Sequence, residues 1–147
     1  MTVSRWLAVL LLLASAAALP AEAASISKEF PFKLGEWYEL EVTDGPVTIH
    51  RIRVEVQEGN VKSKIFRPGN SEFSKTVQIQ IEYTNRADKD YDADIDVVWV
   101  DAKGNEIDGY RDEEGIDEDE RDEMTMTLST LKYGLEMAKT LKVGIRF

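Results

Sequence analysis

The chain has 147 residues, no cysteine, and 28 acidic against 18 basic side chains, a net charge of −10. Thiol catalysis, thiolate metal ligation and disulfide staples are therefore excluded. That negative balance repels phosphate backbones and anionic bilayers; it argues against nucleic-acid binding and leaves a basic partner, a metal ion or plain solubility as its use.

Arg5 precedes an apolar run, residues 7–19, that is too short for a stable bilayer span. Pro20 breaks the run, and Ala21 and Ala23 are the small residues that a signal peptidase reads. Residues 1–23 are thus expected to be a secretory signal, cut after Ala23. No cysteine follows for lipid attachment, so the product is expected to be periplasmic or secreted, without a membrane anchor. Residues 24–147 have the length of one domain, large enough to bury a core without cross-links.

Residues 24–35 read as a lead-in segment, because Pro31 argues against a central strand, with Phe30, Phe32 and Leu34 available to tuck against the domain proper, residues 36–147. Residues 36–43 alternate, Tyr38, Leu40 and Val42 against Glu39 and Glu41. Asp44-Gly45-Pro46 signals a turn. The strand that follows changes phase: Val47 and Ile49 are odd, Ile52, Val54 and Val56 even. A two-residue period cannot change parity without an extra residue, which places a β-bulge near His50-Arg51. Residues 58–74 read as a long polar connection carrying Lys62, Lys64 and Arg67, with Ile65 and Phe66 able to form a short strand or plug.

Residues 76–84 have the cleanest period, Val77, Ile79, Ile81 and Tyr83 against Gln78, Gln80, Glu82 and Thr84. After a polar turn, Ala93, Ile95, Val97 and Trp99 form a second apolar face opposed by Asp92, Asp94 and Asp96. Lys103-Gly104 marks a hairpin, and a short strand is expected around residues 106–110. The nearly all-acidic stretch 112–123 is expected to be a solvated loop, because like charges at that density repel one another. Met124, Met126 and Leu128 resume the alternation. Residues 131–139 fit one or two helical turns, with Thr130 as cap and Leu131, Leu135 and Ala138 on one side. Leu141, Val143, Ile145 and Phe147 read as a last strand. Short alternating strands without a long helical period predict an all-β, Ig-like antiparallel sandwich of about seven strands.

Chemistry is sparse. His50 is the single histidine, so any His-based nucleophilic site has to use it; a lone strand histidine is more often structural, and no catalytic residues are assigned. Asp88-x-Asp90-x-Asp92 begins like a calcium loop, but Ala93 stands where the loop needs Gly and Trp99 where it needs a bidentate Glu. If residues 77–83 and 91–97 pair antiparallel, Glu82 faces Asp92 with Asp94 nearby. Like charges opposite one another destabilise a sheet. A Ca²⁺ held by Glu82, Asp90, Asp92 and Asp94 would reverse that sign, as would basic residues from a neighbouring strand. Trp99 is in phase with the core; Trp37 and Tyr110 fall near strand ends, where an exposed ring can stack on a sugar or anchor a partner.

Asn85 closing a strand, a polar turn, a strand ending in Asp101 and a hairpin with Gly104 together resemble the Ig-like FxLYD modules of exported bacterial proteins. The resemblance covers residues 77–147. The name-giving motif falls on Val97-Val98-Trp99-Val100-Asp101, where only Asp101 matches by identity, and the acidic run stands where the family carries a Pro-Gly turn. The resemblance implies a binding or accessory module and carries over no functional residues. The expected function is accordingly an exported, non-enzymatic module that binds a protein partner or serves as an accessory subunit, with a basic protein as the partner that the charge suits; the alternative is a calcium- or carbohydrate-binding sandwich that uses the acidic strand face.

Overall fold

The structure is a computed structural model that describes residues 25–57 and 72–147. Residues 1–23, expected to be a secretory signal, and the Lys62/Lys64/Arg67 connection, with Ile65 and Phe66, lie outside the described residues. Among the described residues, eight strands and one short helix follow in chain order: β1 (Ser25–Pro31), β2 (Trp37–Asp44), β3 (Val47–Val56), β4 (Ser74–Asn85), β5 (Tyr91–Val100), β6 (Glu106–Ile116), β7 (Glu120–Leu131), α1 (Lys132–Met137) and β8 (Thr140–Arg146). They form two antiparallel four-stranded sheets, ordered β1-β8-β5-β6 and β2-β3-β4-β7. The molecule is an all-β sandwich, as the alternation predicts.

The core is where the inward phases of both sheets meet. Ile95, Val97, Trp99, Leu141 and Val143 come from one sheet and Ile49, Ile52, Val54, Ile79 and Ile81 from the other, all essentially buried. Burying a side chain of this size contributes about 1.5–3 kcal/mol, so packing alone can hold a domain without disulfides. The β3 phase slip is resolved as expected. The β3–β4 register shifts between Ile49 and Arg51, so His50 is the extra residue and the odd and even apolar residues all face inward. Beside it, the β2–β3 register shifts between Glu39 and Val42, and Glu41 there has φ 43°, an uncommon angle for a non-glycine residue.

Four expectations are corrected. First, the lead-in contains strand β1, which pairs with β8 from Ser25↔Arg146 to Pro31↔Thr140 and brings the strand count to eight. Pro31 is tolerated because β1 is an edge strand, where a missing N–H breaks no ladder on the open side. Phe30 stacks on Tyr38 at 4.9 Å between ring centroids, and Tyr38 Oη donates to the Pro31 carbonyl at 2.7 Å. Second, the acidic stretch is mostly strand. It supplies the second half of β6 and the first residues of β7, joined through residues 117–119. Both are edge strands, so their carboxylates stay in water while the backbone pairs on one side. Ile116, wholly buried, pins the crossing between the sheets. Third, β4 and β5 do not pair: β4 lies between β3 and β7, β5 between β8 and β6. The connection crosses the sandwich instead of making a hairpin. Asn85, almost wholly buried, holds that crossing by accepting from Ala87 N and donating to the Lys89 and Ile116 carbonyls. Fourth, Thr130 does not cap α1. Its hydroxyl donates to Asp108 Oδ2, and Leu131 is the N-cap, without a side-chain bond.

Candidate functional site

The carboxylates expected to share a cation are not brought together. Glu82 lies on the outer face of one sheet, bound to Arg51 Nε and Arg121 Nη2, both at 2.5 Å. Those guanidiniums, Arg121 first, hold its carboxyl below the usual carboxylate range. Asp94 is on the other sheet, bound to Arg146 Nη2 at 2.6 Å. Asp92 pairs with Gly115 on β6, and Asp90 Oδ1 accepts from Glu118 N at 2.8 Å. Basic neighbours thus relieve the strand carboxylates Glu82 and Asp94, and the site built on a β4–β5 pairing falls with that pairing. A different trio, Asp117, Glu120 and Asp122, brings carboxylate oxygens within 4.8 Å of one another around the β6–β7 turn; all three residues are exposed.

His50 acts as a fastener for the bulge. Its Nε2 lies 2.8 Å from Thr84 Oγ1 and its Nδ1 3.3 Å from Glu41 Oε1, tying β2, β3 and β4 together where both ladders are irregular. Trp37 is no open stacking platform, because the guanidiniums of Arg51 and Arg53 lie 4.4 and 4.6 Å from its ring centroid. Tyr110 is half-buried against the core; its hydroxyl donates to Glu114, and burial raises its pKa. Trp99 is wholly buried, as its phase predicts.

Two concavities, of about 310 and 220 Å³, lie on the outer face of the β1-β8-β5-β6 sheet and share Asp96 and Gly144. Gly144 leaves open the space that a side chain would fill. Their charged walls are paired: Arg111 with Asp96 at 3.0 Å and with both Glu106 oxygens at 2.8 and 2.6 Å, and Lys142 with Glu29 at 3.2 Å. A ligand entering there competes with ion pairs already made.

The remaining feature is apolar. Among the described residues the exposed large hydrophobic side chains are Leu34, Phe73, Leu131, Tyr133 and Met137. Phe73, Leu131 and Tyr133 gather where β4 starts and β7 ends. They line a depression of about 300 Å³ with Glu72, Lys132 and Glu136. The Lys132 N–H donates to the Phe73 carbonyl at 2.9 Å, which fixes the two segments side by side. Leu131 is 64% and Tyr133 69% exposed, whereas Leu135 and Ala138 pack inward, so the side chains expected on one side of the helix divide. The sequence signal was available: Met124, Met126 and Leu128 set the inward phase of β7, and Leu131 is out of phase with it. Gly134 lets α1 approach the sandwich, since a Cβ there would lie 2.8 Å from Ile107 Cγ2.

No helix among the described residues is long and apolar enough to cross a membrane. No family model matches the chain, and no curated protein matches it in sequence.

Proposed function

We propose that this protein is an exported, non-enzymatic binding module that engages a partner protein at the apolar end of its sandwich. The observation that carries the reading is the cluster of Phe73, Leu131 and Tyr133 around one depression, on a chain with a net charge of −10. Leaving such side chains in water gives up the free energy that burial would supply, and a contiguous apolar patch on a soluble domain marks a contact surface. The excess of acidic residues adds long-range attraction for a basic partner, which speeds encounter and is weakened by salt.

The double variant Leu131→Ser, Tyr133→Ser tests this. Both side chains are exposed, so the melting temperature is expected to stay within a degree or two of the parent. Affinity capture from an exported-protein extract is expected to retain a protein on the parent chain that the variant loses. An identical set of captured proteins on parent and variant would refute the reading.

A further inference from the structure

Gly109 and Gly144 stand inside strands of the β1-β8-β5-β6 sheet for different reasons. Folding requires Gly109, since a Cβ there would lie 2.5 Å from the Val97 carbonyl oxygen. Gly144 has no such reason. It lies within β8, whose register runs unbroken against both β1 and β5. It does not have the positive φ of Gly35, Gly45 and Gly104. A Cβ on it would meet Asp96 Cβ at 3.4 Å as its nearest contact, so the sheet leaves room for a side chain. Glycine weakens a strand interior and marks a bulge, a bend or a close approach by another group. With an unbroken register the first two fall away, and an approach from outside the sheet is left. Gly144 is also where the two concavities of the outer face join. It belongs to one row across four strands, Ser27, Gly144, Asp96 and Arg111. Val98 and Val100 give the larger concavity an apolar floor.

We infer that this trough binds a neutral saccharide of one or two rings, seated over Gly144 and hydrogen-bonded to the paired charges on either side. The class of ligand follows from the walls. On a chain with a net charge of −10 the trough is balanced. Asp94 is paired with Arg146, Glu29 with Lys142, and Asp96 and Glu106 with Arg111. Lys28, whose ammonium donates to the Leu40 carbonyl, is the fourth cation against those four carboxylates. A charged ligand has to break one of these pairs and leave its partner unmatched. An apolar ligand takes them out of water and returns no hydrogen bond. A sugar hydroxyl both donates and accepts, so it adds to a carboxylate lone pair and to a guanidinium N–H while the pair stays closed. The larger concavity, about 310 Å³, is at the small end of the roughly 300–1,000 Å³ of ligand sites, which limits the ligand to a short unit. The inference goes beyond the partner-binding reading and does not depend on it, since Phe73, Leu131 and Tyr133 line a different depression.

The test is an amide chemical-shift titration of the isotopically labelled protein with cellobiose, maltose, lactose and diacetylchitobiose. At least one of the four is expected to move the signals of Ser27, Gly144 and Asp96 saturably. A uronic-acid disaccharide and a glucosamine disaccharide are expected to bind at least tenfold more weakly than that neutral sugar. Gly144→Val places a side chain suited to a strand on the floor of the trough. It is expected to abolish the sugar-induced shifts while the melting temperature stays at or above that of the parent. Ser27→Val, on the exposed side of β1 in the same row, is expected to weaken binding at least threefold. The Leu131→Ser, Tyr133→Ser variant is expected to bind the sugar as the parent does, so the two surfaces are tested apart. The inference is overturned if none of the four sugars moves those signals, if a charged disaccharide binds as tightly as the neutral one, or if Gly144→Val and Ser27→Val both bind like the parent. A Gly144→Val protein that melts well below the parent would also overturn it, because folding itself would then require the glycine.

Discussion

Glu82 shows how a single side chain answers for a whole stretch of sheet. It pairs directly with Glu123 across β4 and β7, an arrangement that repels. Arg121 from β7 and Arg51 from β3 each bind one of its oxygens, and Gln80 Nε2 donates to Glu123 Oε1 at 2.7 Å. With these partners the folded-state pKa of Glu82 lies below its ordinary value of 4.5. The unfolded chain therefore takes up the proton first as acid is added. The stabilisation is complete above 4.5 and is lost as pH falls through the folded-state value. Glu82→Gln should lower the melting temperature at about pH 6, and the gap to the parent should close towards about pH 3. A gap that is constant across that range would show that the arginines stabilise through packing alone. Glu82 also marks a limit of sequence reading. Its carboxylate invites a cation, but the basic groups that satisfy it arrive from strands 31 and 39 residues away.

At the scale of the element, strand pairing imposes demands that composition hides. Gly109 on β6 pairs with Val98, and a Cβ there would lie 2.5 Å from the Val97 carbonyl oxygen and 2.7 Å from Val98 Cα. Backbone cannot yield as a flexible side chain can, so Gly109→Ala should destabilise by about 1–3 kcal/mol, read as a lowered denaturation midpoint with an unchanged slope. An effect below about 0.5 kcal/mol would mean that the pair opens at little cost. The inward phases of β3, β4, β5 and β8 were legible because alternation is local, and the bulge was legible because parity is arithmetic. Partnership between strands was not. A short polar turn after β4 reads equally as a hairpin or as a crossing, and the difference lies in Asn85 reaching the Ile116 carbonyl 31 residues on. The acidic stretch misled for a related reason. Charge density argues against burial but not against a strand whose open edge and outer face both meet water. The candidate site was only half legible: Leu131 stands out of phase, but that Phe73 lies beside it follows from the β4–β7 register, with Ser74 opposite Leu131.

At the scale of the whole molecule, acidic side chains among the described residues crowd one end of β7. The β4–β5 and β6–β7 connections meet at one end, where Asp90 Oδ1 accepts from Glu118 N, and Asp117, Glu120 and Asp122 crowd the same turn. The apolar depression, with Glu72, Lys132 and Glu136 on its rim, lies at the opposite end of β7. Such an arrangement costs stability through self-repulsion and would attract a basic partner of the kind proposed. Screening separates the two effects. At about 0.1 M salt the screening length is roughly 10 Å, shorter than the strand that separates the ends but longer than the spacing within the acidic turn. Raising sodium chloride from low to moderate ionic strength should therefore raise the melting temperature by a few degrees, while partner association slows. Asp122→Asn should reduce the thermal response by thinning the acidic end. Calcium at matched ionic strength should add no further stabilisation, since three water-exposed carboxylates each offering one ligand atom leave most of the six to eight positions of this ion to water. A calcium-specific increase that Asp122→Asn removes would instead assign the turn to a bound cation and make the acidic end a ligand site in its own right.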